Sequence, residues 1–271
     1  MSYYETLGLK KEPFSTSPDP AFFYRSSAHN TALQRLEIMI RLKRGLSLVL
    51  GDVGIGKTTM SRALLQSFAS DENYIFHIVL DPSYKSEFQF LSSLVKMFGI
   101  KPDSRSTLDY KEEIQRYLFK KGVEESKTVV LIIDEGQKLS APYLEILRTF
   151  LNYETNDYKL LQLVIVSQME LLPRIKKINN FYDRIGLKYI INPLDEKETR
   201  EMIEFRLSEA GLNLDRKLFT EGAIKRIFEY VQGYPRKISI LCHNALEFLV
   251  MNDREVVDET FIADVIGKDI T

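Results

Sequence analysis

The 271 residues contain one cysteine, three histidines and no tryptophan. A single thiol excludes a disulfide framework. Cys242 lies inside the apolar run ISILCHNALEFLV and reads as a buried helix residue, not a nucleophile. His29, His77 and His243 are scattered, without the spacing of a metal site. Long hydrophobic runs are also missing. No stretch of about 18 apolar residues occurs, so no membrane-spanning helix is expected. The opening MSYYETLGLKKEPF carries charges where a signal peptide needs an apolar segment, and the reading is cytoplasmic. Neither sign of charge is in excess. With 37 Lys and Arg against 38 Asp and Glu, the net charge of -1 sets up no whole-protein field toward nucleic acid or anionic lipid. Two short basic clusters, RLKRG at Arg41–Gly45 and RIKK at Arg174–Lys177, read as solvated helix faces.

Five short β-rich runs alternate with longer helical patterns: Leu46–Leu50, Tyr74–Leu80, Thr128–Asp134, Leu161–Ser167 and Leu187–Leu194. The first four are almost continuously apolar, as strands buried on both faces are. The alternation predicts an α/β fold, a parallel sheet covered by helices on both sides. After Pro193 the strand signals stop, and four helical patterns follow. A boundary is therefore expected near Asn192. Residues 1–191 would hold the N-terminal segment and the α/β core, and residues 192–271 an all-helical domain.

The chemistry begins where the first strand ends. Gly51, Asp52, Val53, Gly54, Ile55, Gly56, Lys57, Thr58 and Thr59 form the pattern G-x-x-x-x-G-K-T between a predicted strand and a predicted helix. Glycines let the backbone turn its N–H groups inward on phosphate oxygens, and the helix N-terminus adds partial positive charge. Lys57 would reach the β- and γ-phosphates of ATP, and the Thr58 hydroxyl would bind Mg²⁺. Asp134 ends the run VVLIID, at the sheet edge where ligands collect, and would share in holding Mg²⁺. Glu135 follows and can orient or deprotonate an attacking water. At the end of the fourth strand Gln168, with Ser167 second, could bond the γ-phosphate or that water. Arg184 ends a helix before the fifth strand and could face the nucleotide of a neighbouring subunit. Arg236 follows Pro235 in a first helical turn, a poor place for a cation unless an anion is nearby.

These elements in this order resemble an AAA+ ATPase, which implies a P-loop core of strand order 5-1-4-3-2 followed by a helical lid. Nucleotide would bind between the two. LGLKKEPFSTSPDPAFFYRSSAHNTALQRL, GDVGIGKTT, LIIDEGQKL, LLQLVIVSQMEL, YDRIGLKYIINPL and GYPRKISILCHNAL together resemble the ExeA/GspA family of bacterial secretion ATPases. That resemblance implies Walker A at Lys57 and Thr58, and Walker B at Asp134 and Glu135. It implies sensor 1 at Gln168, an arginine finger at Arg184 and sensor 2 at Arg236. It places the N-terminal segment near the adenine, with His29 as a lining residue. The family's usual GQPEL is SQMEL here. Its secretion members continue into a transmembrane segment and a peptidoglycan-binding domain, so a truncated or a stand-alone member is expected. The implied function is ATP hydrolysis at interfaces of a homo-oligomer, acting on protein partners of a secretion or envelope complex in a bacterial cytoplasm. Two alternatives stay open. One is an ATP-dependent regulator on double-stranded DNA beside a transposase, resembling TnsC and TniB. The other is a nucleotide-switched scaffold with little turnover.

Overall fold

A computed structural model describes residues 2–17, 19–101, 106–213 and 215–269. The chain order is α1 (Tyr3–Thr6), α2 (Ser27–Arg41), β1 (Leu46–Leu50), α3 (Lys57–Ser67), β2 (Tyr74–Val79), α4 (Glu87–Met97), α5 (Thr107–Phe119), β3 (Thr128–Ile133), α6 (Ala141–Phe150), β4 (Leu161–Ser167), α7 (Leu171–Lys176), α8 (Asn179–Tyr182), β5 (Ile185–Ile190), α9 (Glu196–Glu209), α10 (Glu221–Val231), α11 (Pro235–Met251) and α12 (Glu259–Asp269). Two compact units result. One comprises residues 29–53 and 60–191, the other residues 1–28, 54–59 and 192–271.

The first unit is the α/β one. Its five strands are ordered β2-β3-β4-β1-β5 and every pairing is parallel, the order that the family resemblance implies. Residues of β1, β3 and β4 are buried on both faces, which is why those runs are almost continuously apolar. On one face Leu48, Leu131 and Leu163 join a core with Phe90, Ile114 and Leu147 of α4, α5 and α6. Edge strand β2 shows the two sides directly, because Phe76 meets Phe68 just past α3 while His77 meets Phe98 and Tyr117 beyond α4 and on α5. Burial holds the His77 imidazole down to about 4. Edge strand β5 differs from the expectation. It runs Ile185–Ile190, not Leu187–Leu194, with alternating exposure. Its register with β1 slips at Gly186, where an added Cβ would lie 2.5 Å from Met39 Cε of α2.

The second unit is helical. Met202, Ile227, Leu241 and Leu246 of α9, α10 and α11 share one apolar core with Leu7, Leu9, Phe14 and Phe22. The N-terminal segment, grouped with the strands in the sequence reading, thus packs with these helices. Arg206 donates to Ser15 O at 3.2 Å and Arg216 donates to Leu7 O at 2.7 Å. Asp19 caps the 3₁₀ turn Pro20–Phe22, and Tyr24 donates to Glu201. The opening PF…SPDP.F.Y is therefore docking chemistry, although its Pro18 lies outside the described residues. Cys242 is fully buried here, and burial drives its thiol pKa up, as an inert core residue requires.

Helix boundaries follow local chemistry. Asp195 and Glu198 form a capping box at the start of α9, Thr220 caps α10, and Pro235 opens α11. Between α10 and α11 the chain reverses at Gln232 (φ 53°) and Gly233 (φ 73°). Gly233 accepts a hydrogen bond from Leu194 N at 2.9 Å, and a Cβ on it would sit 1.9 Å from Leu194 O. Left-handed backbone and a clash with main chain act together there. Gly233→Ala is expected to destabilise the helical unit by about 3 kcal/mol or more, read by chemical denaturation. A loss below about 1 kcal/mol would show that this turn relaxes freely.

Candidate nucleotide site

Because all five strands are parallel, their carboxyl ends share one edge of the sheet. Gly51 leaves β1 there, its N–H donating to Ser167 O at the end of β4 at 3.1 Å. Asp134 leaves β3 there, its N–H donating to Val79 O at the end of β2 at 2.8 Å. A crevice outside such an edge is where open α/β folds take ligands.

The loop that begins at Gly51 has the backbone that phosphate binding needs. Gly54 (φ 78°) and Gly56 (φ 98°) adopt left-handed conformations, and Lys57 is the first residue of α3. Asp52 and Val53 are exposed, Ile55 is buried, and Thr58 and Thr59 are half-buried in the first turn. Lys57 is 7% exposed, which orders its long stem. Gly54 has a second duty. Its carbonyl accepts the N–H of Arg236, in the first turn of α11, at 3.1 Å, and a Cβ on it would lie 2.8 Å from Arg236 Cβ. The backbone of α11 therefore begins on the phosphate loop itself. One of the N–H groups that a helix leaves unsatisfied at its start is used on Gly54 O, and the Arg236 side chain is exposed.

Asp134 is 2% exposed, and its Oδ1 accepts the N–H of Glu135 at 2.8 Å. Glu135 is left-handed (φ 52°, ψ 36°), a conformation that costs a non-glycine residue about 1–2 kcal/mol. The following 3₁₀ turn, Gly136–Lys138, lies directly on β4. A Cβ on Gly136 would be 2.6 Å from Ile165 Cγ2 and 3.2 Å from Ser167 Cβ, so only glycine allows the approach. Gln137 then spans the gap. Its Nε2 donates to Glu135 Oε2 at 2.7 Å and its Oε1 accepts from Gln168 N at 3.1 Å, while the one Ser167 hydroxyl proton is shared between that Oε1 at 3.3 Å and Gln168 O at 3.1 Å. Lys138 pairs with Asp81 at 2.8 Å, just past β2, and this bond holds the Asp81 carboxyl below its ordinary value.

Arg184 lies elsewhere. Ile185 pairs with Leu46, the first residue of β1, so Arg184 enters at the amino edge of the sheet. Four steps of about 3.3 Å separate the two ends of β1, roughly 13 Å. The Arg184 side chain is half-buried and its Nε has no hydrogen-bond partner among the described residues. Glu154 is nearby. Its pKa is lowered mainly by the hydrogen bond from Lys159, with the charge of Arg184 adding to the effect.

A family model described as an AAA domain matches residues 40–175, just over half of the chain. The chain belongs to the AAA domain family. It is similar to general secretion pathway protein A of Aeromonas hydrophila, 32% identical over 90% of the chain and 44% of that protein. It thus spans less than half the length of this relative. An uncharacterized HTH-type transcriptional regulator of Methanocaldococcus jannaschii is 24% identical over 95% of the chain and 72% of its own length. Among solved structures, the Aeropyrum pernix ORC2 protein superposes with a TM-score of 0.70 at 18% identity, covering 96% of this chain and 71% of that one. The Thermotoga maritima RuvB Holliday junction branch migration motor gives 0.61 at 14%, covering 92% and 73%.

In this AAA domain the carboxyl edge brings together Gly51, Asp134, Glu135, Ser167 and Gln168. Gln168 was the sequence's first choice at β4, but Ser167 is the fully buried partner, and both share Gln137. Gln137 itself was missed, since a glutamine in a turn has no periodic signature. Arg174 was read as part of a solvated basic cluster. It is exposed, as read, and it also donates to Gln137 O at 2.7 Å. His29, read as an adenine neighbour, is a buried residue of α2 at 1% exposure. Among the described residues no group of three or more His, Cys, Asp or Glu could hold a metal. A hydroxyl at Thr58 and a carboxylate at Asp134 are hard oxygen donors. They suit Mg²⁺, which takes one or two protein ligands and completes its shell with water and phosphate. No helix of the described residues is long and apolar enough to cross a membrane.

The left-handed conformation of Glu135 can be measured. Glu135→Ala and Glu135→Gly both remove the carboxylate and its bond to Gln137, but only glycine relieves the backbone. The glycine variant is expected to be the more stable by about 1 kcal/mol, the reverse of the usual order. Equal stabilities in denaturant would mean that Glu135 bears no such strain.

Proposed function

We propose that the chain binds ATP with Mg²⁺ and hydrolyses it at sites shared between copies of itself. The observation that carries this reading is the carboxyl edge, where a glycine-turned loop runs from β1 into a helix headed by Lys57, while Asp134 and Glu135 stand two strands away. Loop N–H groups and Lys57 hold the phosphates. Mg²⁺ held by Thr58 and Asp134 would supply charge neutralisation on the β- and γ-phosphates. Glu135 accepts the proton of, or orients, the attacking water. Ser167 and Gln168 fix the polar end of β4 beside it. Arg184, at the opposite edge of the sheet from Asp134, serves a neighbouring copy. A guanidinium supplied in trans is worth about three or more orders of magnitude in related nucleotide hydrolases. Arg236 lies next to Gly54 and reports the phosphate loop's state to α11. His29 is proposed as a residue near the adenine.

The 32% identity to a general secretion pathway protein favours an assembly or remodelling role with protein partners of an envelope or secretion complex. A second reading, ATP-dependent association with double-stranded DNA, draws on the relative named as an HTH-type regulator and on the ORC fold likeness. DNA binding with and without ATP across a salt series separates them, because phosphate-mediated binding must weaken as salt rises.

Three variants test the hydrolytic reading. Lys57→Ala should lose ATP binding while staying folded. Glu135→Gln should bind ATP yet turn over about two orders of magnitude more slowly. Arg184→Ala should bind ATP and also be slow. Mixed together, the Glu135 and Arg184 variants should recover activity, since each keeps what the other lacks. A concentration-independent rate with no recovery on mixing would rule out the shared site.

A further inference from the structure

We infer that Gln137 is a positioning residue that holds the Glu135 carboxylate and ties it to the end of β4. This rests on the hydrolytic reading above. The orientation of its amide is fixed by its partners. The Gln168 N–H can only donate, so the atom 3.1 Å from it is Oε1. The amino group, Nε2, therefore faces Glu135, whose carboxylate oxygen 2.7 Å away can only accept. Ser167 Oγ lies 3.3 Å from the same Oε1 and 3.1 Å from Gln168 O, and its one proton is shared between them. One planar amide thus carries a donor on one side and an acceptor on the other, and each is matched.

The main chain around this amide is fixed as well. Arg174 binds the Gln137 carbonyl at 2.7 Å, Gly136 seats the turn against Ile165 and Ser167, and Lys138 binds Asp81 on its far side. Glu135 meanwhile occupies a left-handed backbone that would otherwise leave its side chain with rotamers to choose from. The Gln137 bond selects one of them. Any shift at the end of β4 is passed through this amide to the carboxylate. Glutamate at 137 would keep an acceptor for Gln168 and Ser167 but set a carboxylate against Glu135. Asparagine would be one methylene too short to span both.

Three measurements test the assignment. In Gln137→Ala, kcat should fall about ten- to a hundredfold, the scale of a misplaced reacting group, with the KM for ATP unchanged within about threefold. Gln137→Glu, nearly the same shape, should be equally slow. In a Glu135→Gln background the alanine substitution should cost nothing further, because a residue acting through another is not additive with it. The third readout does not depend on turnover. The side-chain amide NMR signals of Gln137, assigned by their loss in Gln137→Glu, should move when Glu135 is changed to Ala. An unmoved amide overturns the inference. So does a Gln137→Ala kcat within about twofold of the parent while Glu135→Gln is slow, or an equal loss in both backgrounds. If Glu135→Gln turns over at the parent rate, it is the hydrolytic reading that fails, and the amide signal alone then decides whether Gln137 holds Glu135.

Discussion

Parallel pairing is the constraint on which the rest of this molecule depends. A parallel strand cannot return by a tight hairpin, so every connection climbs back across the sheet, and all carboxyl ends emerge on one side. That single fact assembles groups from residues 51, 134 and 168 without any sequence proximity. It also makes the inner strands apolar on both faces, which leaves polarity only at their ends. Asp134 and Ser167 are each the first polar side chain after a buried apolar run, and both are buried themselves. Their polar atoms therefore need partners, and the turn after Asp134 supplies them for β4.

The same polarity separates Arg184 from the carboxylates. An element that leads into a strand must lie at the amino edge, and α8 leads into β5. Within one chain the arginine is therefore badly placed to reach those carboxylates. A buried Nε without a partner among the described residues costs free energy.

Much of this was legible in the sequence, and the reasons differ by residue. Four strands were read nearly to the residue because burial on both faces leaves no ambiguity about which runs are strands. The fifth was displaced because Ile191 and Leu194 extend its apolar character into the following segment, although both are buried outside the strand. The phosphate loop was legible because glycine spacing encodes backbone conformation, and Gly54 and Gly56 do have positive φ. Gln137 and Arg174 were not, because their importance lies in hydrogen bonds between residues about thirty or more positions apart. The docking of the N-terminal segment was misassigned for a similar reason. Phe14 and Phe22 advertise burial but not the core they enter.

Through the bond from Arg236 N to Gly54 O, α11 is tied at its first turn to the loop after β1. Seventeen residues at about 1.5 Å each give it a length of about 25 Å. The far end of the helix lies about that distance along its axis from the tie. That end is Met251, the most exposed of the molecule's large apolar side chains among the described residues. One helix thus runs from that loop to an apolar side chain in water.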